Sequence, residues 1–380
     1  MKLSFDVVIL GGGIIGLTIA HFLAKAGQSV AVLDPRELGQ EASWAGAGML
    51  PAGNPRKAHT PMGQLRSRGT ALFAEYSQEL RAATGIDNGY RNCGGLEILR
   101  SPDALERRRQ LKAVLDERDA GVDHEVLDGP ALRGFEPNLA PDLPGALYFP
   151  GDAQIRNPWH LRAVTAACAQ AGVALFPNHP TRAISRKDER ITSITAGGGS
   201  FAAGEWVIAA GAWSSHLLAE LGQPVALAPV RGQIVLLRSP LPLKPIIAIK
   251  GEYLVPRGDG LILVGSTEEH VGFEKGTTPE AVDHLLAFAR RLVPGLADAA
   301  VERTWSGLRP GTPDDRPYLG RVPGWRNVSV AAGHFRAGLQ LSIITAVLTK
   351  QVLLGEATSM DLQPFRVDRP PYERFAVASS

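Results

Sequence analysis

The sequence predicts an α/β fold (α+β overall): a Rossmann-type unit of strands and helices joined to a second unit built on an antiparallel sheet. Three observations carry that expectation. The first 34 residues read strand, glycine turn, helix, strand. A second strand, Trp206 to Ala210, runs into Gly211 just before another helix. From Arg231 onward, short apolar strands separated by tight turns replace the strand–helix alternation. The length of 380 residues, with 44% hydrophobic and 21% charged, supports two or three domains.

Phe5 to Leu10 is apolar and β-branched, as a buried strand requires, and stops at Gly11-Gly12-Gly13-Ile14-Ile15-Gly16, a GxGxxG match. Ile15, Ile19, Phe22 and Leu23 continue at helical spacing to Gly27, and Ser29 to Leu33 forms the next strand, ending at Asp34. Each glycine has a mechanical task. Gly11 permits the tight turn, Gly13 lets a pyrophosphate approach the backbone, and Gly16 allows close helix–strand packing. The helix N-terminus would face the phosphates while Asp34 accepts from ribose hydroxyls, which disfavours a 2′-phosphate and so NADP. NAD and FAD both remain open on this unit alone. Val7 to Ala24 lacks Asp, Glu, Lys and Arg and is long enough for a membrane span or signal segment. Its four glycines and the preceding Asp6 argue instead for the nucleotide turn. The segment Glu41 to Leu50 is small and glycine-rich, suited to lie against a flat ring system or to form an ordinary loop.

Farther on, Ser101-Pro102 is expected to open a charged helix to Gly121, with Ser101 as N-cap and Arg107-Arg108-Arg109 on a solvated face. Asn157-Pro158 opens another, with Leu161, Val164, Thr165 and Cys168 on one stripe, so Cys168 is a core candidate. Strands are expected at Val173 to Phe176, Ala183 to Ser185, Ile191 to Ala196 and Trp206 to Ala210. Others follow at Gln233 to Leu237, Tyr253 to Pro256, Leu261 to Gly265 and Val328 to Ala331. Thr278-Pro279 caps a helix to Leu292, Gly307 to Tyr318 reads as a loop, and a last helix runs from about Leu339 to Leu354. Lys+Arg at 40 against Asp+Glu at 38 gives no electrostatic reason to expect nucleic acid or an anionic membrane. Two cysteines, Cys93 and Cys168, make neither a disulfide framework nor a zinc pattern, which suggests a reducing, cytoplasmic setting. Glu268-Glu269-His270 could mimic a metal cluster, but adjacent strand positions face opposite ways, so no metal is expected.

Several motifs in fixed order carry a resemblance: GGGIIG with its Asp34 strand, the Ser43-to-Leu50 loop, AAGAWS, WSGLRPGTPDDRPYLG at Trp305 to Gly320, and AAGHFRAG at Ala331 to Gly338. Together they resemble the FAD-dependent amine oxidases of the D-amino-acid oxidase family, over nearly the whole chain, and within it the glycine-oxidising branch most. The resemblance implies an FAD-binding domain made of residues 1–90, 152–224 and 312–367. It also implies a substrate-binding domain of 91–151 and 225–311, and a tail at 368–380. Gly11, Gly13, Ile14, Ile15, Gly16 and Asp34 would hold the ADP half of non-covalent FAD, with Gly211 and Trp213 nearby. Ser43, Ala45, Gly46, Ala47, Gly48 and Met49 would line the isoalloxazine. Gly333, His334, Arg336, Ala337, Gly338, Leu339 and Gln340 would present backbone donors and a helix N-terminus to the ring's N1–C2=O edge. Arg309 matches the family arginine for the substrate carboxylate, Tyr253 the tyrosine beside it, and Arg336 a further active-site arginine.

One departure stands out: Glu268 occupies a position where that branch has a methionine. No cysteine follows Cys168, so the covalent flavin of the sarcosine-oxidising branch is not expected. The implied reaction converts glycine or a similar small amino acid, with O2, to keto acid, ammonia and hydrogen peroxide, serving thiamine thiazole synthesis. A quinone-linked D-amino-acid dehydrogenase and a sarcosine-type oxidase are the alternatives, and a homo-oligomer is left open. The residues alone support the carboxylate role of Arg309, because a planar guanidinium meets a carboxylate with two parallel hydrogen bonds. The alternatives are an Arg309 ion pair with Asp314 or Asp315, Tyr253 as a core aromatic, and Arg336 as a surface arginine. His334 is expected to pack rather than act as a base.

Overall fold

The structure, a computed structural model, describes residues 2–119 and 121–370. Most of the expected tail at 368–380 lies outside the described residues. Two eight-stranded sheets and one three-stranded sheet organise the described residues.

In the first sheet Lys2–Leu10 pairs in parallel with Val30–Leu33 on one side and Gly199–Ile208 on the other. Ala174–Phe176 extends it in parallel beyond Val30–Leu33, and Val328–Ala332 pairs in parallel with Gly199–Ile208. Both faces are covered, which is why the strands read as unbroken apolar runs. Val7, Ile9, Val30 and Val32 pack with Leu17, Ile19 and Leu341, while Val8, Leu10, Ala31 and Leu33 pack with Trp206, Phe201 and Val330 on the other face. The apolar run 7–24 is therefore a buried strand followed by the helix Ile14–Lys25. The one described helix long and apolar enough to cross a membrane, Phe335–Leu354, has 56% of its window buried in this fold.

The second sheet follows the order Ala300–Gly311, Ala228–Arg238, Leu261–Gly265, Glu252–Pro256, Ile246–Ile249, Gly95–Ile98, Gly145–Phe149, Glu125–Asp128. Its pairs are antiparallel except Ile246–Ile249 with Gly95–Ile98, which is parallel. Met49–Leu50, Ala153–Gln154 and Arg91–Asn92 make the small sheet.

Two local expectations need correction. The charged helix runs Ala104–Arg118, with Asp103 as N-cap accepting from the Glu106 amide at 2.8 Å. Ser101 instead accepts from the Asp103 amide at 3.2 Å, so the cap shifted to the residue whose carboxylate reaches the first turn. The expected loop Gly307 to Tyr318 is in part strand: Gly307 to Gly311 continue Ala300–Gly311, paired residue by residue with Ala228 to Gly232. Glycine and proline at a sheet edge are compatible with pairing, and this is an edge strand. Helices Pro61–Ala71 and Phe73–Thr84 were not expected from the sequence.

Candidate active site

At the end of Lys2–Leu10 the chain turns at Gly11, with φ +117°, where a Cβ would sit 2.3 Å from the Ala209 carbonyl oxygen. The Gly12 amide donates to Asp34 Oδ2 at 2.8 Å and the Arg36 amide to Oδ1 at 2.9 Å, fixing the carboxylate at the strand end. Burial pushes the Asp34 pKa up against those two hydrogen bonds. The helix Ile14–Lys25 starts at Gly13 without a side-chain cap, and the Ile14 amide donates to Ser43 Oγ at 2.9 Å. A Cβ on Gly13 would meet only Ser43 Oγ, at 3.1 Å. On Gly16 it would lie 2.0 Å from the Gly11 carbonyl oxygen, so Gly16 serves the turn itself.

These residues open onto a cavity of about 880 Å³ that runs from Asp34 past the Ala45–Met49 segment to Tyr253 and Arg309. Its far wall is the stretch from His334 to Gln340, with Gly211 and Trp213 beside the glycine turn. Of the residues expected in the site, Gly16 and Gly333 do not reach the wall. Gly333 has φ +79° and a Cβ there would be 2.6 Å from Thr312 Cγ2, so its task is the bend leading to His334.

The Ala45–Met49 segment is clamped from behind. Asn157 Nδ2 donates to the Ser43 carbonyl at 2.7 Å, Trp305 Nε1 to Ala45 O at 3.0 Å, and Arg257 to Ala47 O at 2.7 Å. Burial lowers the Arg257 pKa to about 10, which still leaves it charged at neutral pH. On the opposite wall Gln340 Nε2 donates to Thr70 Oγ1 at 2.8 Å. His334 Nε2 meets Thr345 Oγ1 at 3.0 Å, and burial pushes the imidazole down to about 3, so it is neutral and packed.

At the other end of the cavity, Tyr253 lies opposite Gly265, where a Cβ would come 2.8 Å from the phenol oxygen. The tyrosine is 8% exposed and packs on Ala47, Ile234 and Leu263; its hydroxyl has no hydrogen bond among the described residues. Arg309 sits on the edge strand facing Val230, and its guanidinium lies over Gly232, where a Cβ would be 2.2 Å from Nη2. It donates to Ser266 Oγ at 2.6 Å and to Thr267 O at 3.1 Å. A guanidinium has five donors, so these contacts orient it and leave others for a carboxylate. Asp314 is held by Arg369 at 2.8 Å and by Arg316 at 3.2 Å, not by Arg309, and Asp315 makes no ion pair with Arg309 either. Arg336 pairs with Glu268 and lies over the Phe335 ring at 4.4 Å, and both charged groups line the cavity. Glu269 turns away to Arg231 and to Gln233 at 2.9 Å, separating it from Glu268.

Sequence reasoning missed Arg66, Glu97, Glu117, Arg118 and Ser266 on the same wall. Thr60-Pro61, an N-cap followed by proline, was the signal for the helix carrying Arg66: Thr60 Oγ1 accepts from the Gly63 amide at 3.0 Å.

One family model, DAO, FAD dependent oxidoreductase, matches residues 6–352. The chain belongs to this family of FAD-dependent oxidoreductases. Among curated members, it is 36% identical to glycine oxidase of Geobacillus kaustophilus over 97% of this chain and 98% of that protein. Glycine oxidase of Pseudomonas putida is 34% identical, covering 96% and 98%. The bifunctional protein ThiO/ThiG of Synechocystis sp. is 34% identical over 97% of this chain but only 54% of its own length. The crystal structure of the Geobacillus kaustophilus glycine oxidase superposes with a TM-score of 0.91 at 34% identity, covering 97% of this chain and 100% of that one. That of iminodiacetate oxidase from Chelativorans sp. gives 0.83 at 26%, covering 95% and 98%.

Proposed function

We propose that this FAD-dependent enzyme oxidises glycine, or a similarly small amino acid, to the imine, which water converts to the keto acid and ammonia. The observation that carries this reading is the placement of Arg309 and Tyr253 on the same cavity as the Gly11–Gly13 turn. The cavity fits FAD: Gly13 presents no side chain of its own at the helix start, and Asp34 stands at the strand end for a ribose. Bound there, FAD would supply the two-electron oxidation of the substrate's carbon–nitrogen bond, with O2 as the final acceptor and hydrogen peroxide as the product.

The chain's own part is positioning and charge. Arg309, held by Ser266 and Thr267, binds the α-carboxylate, and Tyr253 offers its hydroxyl beside it. Gly11, Gly13, Ile14, Ile15 and Asp34 hold the ADP half, and Ala45 to Met49 with His334 to Gln340 enclose the ring. No side chain needs to remove a proton from the α-carbon, which agrees with a neutral His334 tied to Thr345. Residues 1–90, 152–224 and 312–367 are assigned to the FAD-binding domain, and 91–151 with 225–311 to the substrate domain. The ThiO/ThiG names of relatives support a place in thiamine thiazole synthesis. Free Cys93 and Cys168 fit a cytoplasmic setting.

The test is anaerobic titration of the purified yellow protein with glycine, sarcosine, D-alanine and D-proline. The reading expects bleaching by glycine at the lowest concentration, recolouring by air, and peroxide and ammonia in equal amounts. Recolouring that needs a quinone instead of air would make the enzyme a dehydrogenase, and no bleaching by any amine would end the proposal.

A further inference from the structure

Arg257 follows the strand Glu252–Pro256 and stands behind the Ala45–Met49 loop; the loop lines the cavity and Arg257 does not. Its guanidinium donates to Ala47 O at 2.7 Å, Gln154 Oε1 at 3.1 Å and Ile155 O at 3.2 Å. All three acceptors are neutral. No carboxylate pairs with Arg257 among the described residues, because Asp259, the acid within electrostatic range, is taken by Arg156. The other groups facing it are Arg91, which donates to Pro256 O at 2.7 Å, and the phenol of Tyr253. Three arginines against one aspartate leave this cluster net positive. A half-buried cation costs desolvation, and bracing three neutral oxygens does not by itself call for a charge.

The bond to Ala47 O brings that charge to the cavity side. The Ala47–Gly48 peptide is trans, so its N–H points opposite to its carbonyl, away from Arg257. The Gly48 amide, like that of Ala47, donates to no protein acceptor among the described residues. A cation on the carbonyl polarises the peptide and strengthens the N–H as a donor.

We propose that Arg257 is a positioning residue that tunes the flavin: its charge, relayed through the Ala47–Gly48 peptide, favours negative charge on the ring and so its reduced form. The inference rests on the placement of the ring against Ala45–Met49 proposed above. The other charges around the cavity stay in place when residue 257 changes, so its share is read as a difference.

Sulfite, which adds to the oxidised ring and leaves it negatively charged, reports that field without turnover. In low-salt buffer Arg257→Gln, which can still donate to Ala47 O, should weaken sulfite binding by about fivefold. The midpoint potential of the bound flavin should fall by the same factor, about 20 mV for a two-electron couple. Arg257→Lys keeps the charge and should stay within about twofold of wild type in both. A residue that only braces the loop would behave otherwise: Gln would shift neither quantity, or Lys would fall as far as Gln. Either result overturns the proposal. If Arg257→Gln purifies colourless, calorimetric titration of its apoprotein with oxidised and with reduced FAD reads the same quantity. The reduced form should then lose about fivefold more affinity than the oxidised form. Equal losses, or binding of neither form, overturn the proposal. Glycine separates the two levels: if it bleaches the wild-type flavin while the Arg257 series is flat, only this inference fails. If no amine bleaches the flavin, the oxidase reading fails, and the sulfite series still reports on Arg257.

Discussion

The two ends of the cavity are built in opposite ways. At the dinucleotide end the working parts are backbone: Gly11, Gly12 and Gly13 are consecutive, and their geometry is set by close approaches to Ala209 and Asp34. At the substrate end the working parts are side chains brought from separate strands, with Arg309 laid over Gly232 and braced by Ser266. The dinucleotide end therefore has no room for a side chain at Gly11 or Gly16, whereas the substrate end can lose a side chain and keep its shape. Substitutions at the first end should remove fold or cofactor; those at the second should change which substrate is turned over, and how well.

The largest effect should come from Gly16→Val. Its Cβ would lie 2.0 Å from the Gly11 carbonyl, a rigid backbone atom, so the turn must move. Overpacking of this kind costs about 1–3 kcal/mol or more, and the variant should show a lowered melting temperature together with lost FAD. Gly13→Val sharpens the contrast. Its nearest protein neighbour is the Ser43 hydroxyl at 3.1 Å, so the chain should fold with a nearly native circular dichroism spectrum yet purify colourless. Stoichiometric FAD in that variant would contradict the placement of the pyrophosphate.

At the substrate end, Glu268→Met should free Arg336 from its ion pair and shift the kcat/KM ratio between glycine and sarcosine by several-fold, with FAD content unchanged. An unshifted ratio would make this exposed pair a bystander, as many surface ion pairs are.

The smallest effect is on stability. Burial pushes His160 and His334 each down to about 3 in the folded protein. The unfolded chain binds protons on both near pH 6.5, so stability is kept above that pH and lost as pH falls toward 3. Each histidine contributes a slope of up to about 1.4 kcal/mol per pH unit. Urea unfolding at pH 7 and pH 5 should show His334→Gln with a shallower loss than wild type.

Much of the dinucleotide end was legible because its signals are local. A glycine at positive φ, a helix start and an acid at a strand end fall within one short stretch, where each residue type has one mechanical explanation. Arg309 was legible through its motif, but its surroundings were not. Gly307 to Gly311 look like a loop in sequence, and only pairing with Ala228 to Gly232 makes them strand. Ser266 and Arg66 were not singled out because neither sits in a motif, and only the fold brings them to the cavity they share with Arg309. Glu268 was seen as a departure and Arg336 as a site residue, while their ion pair across 68 positions emerged only from the fold.

The most direct test of the account is an anaerobic glycine titration of Arg309→Ala, followed through the flavin absorbance. The account predicts FAD bound as in wild type and bleaching that needs roughly 30- to 1,000-fold more glycine, the effect of truncating a charge-assisted carboxylate contact worth about 2–4 kcal/mol. Bleaching at the wild-type glycine concentration, or loss of FAD from the variant, would contradict it, because either result would make Arg309 part of the scaffold and leave the substrate carboxylate unheld.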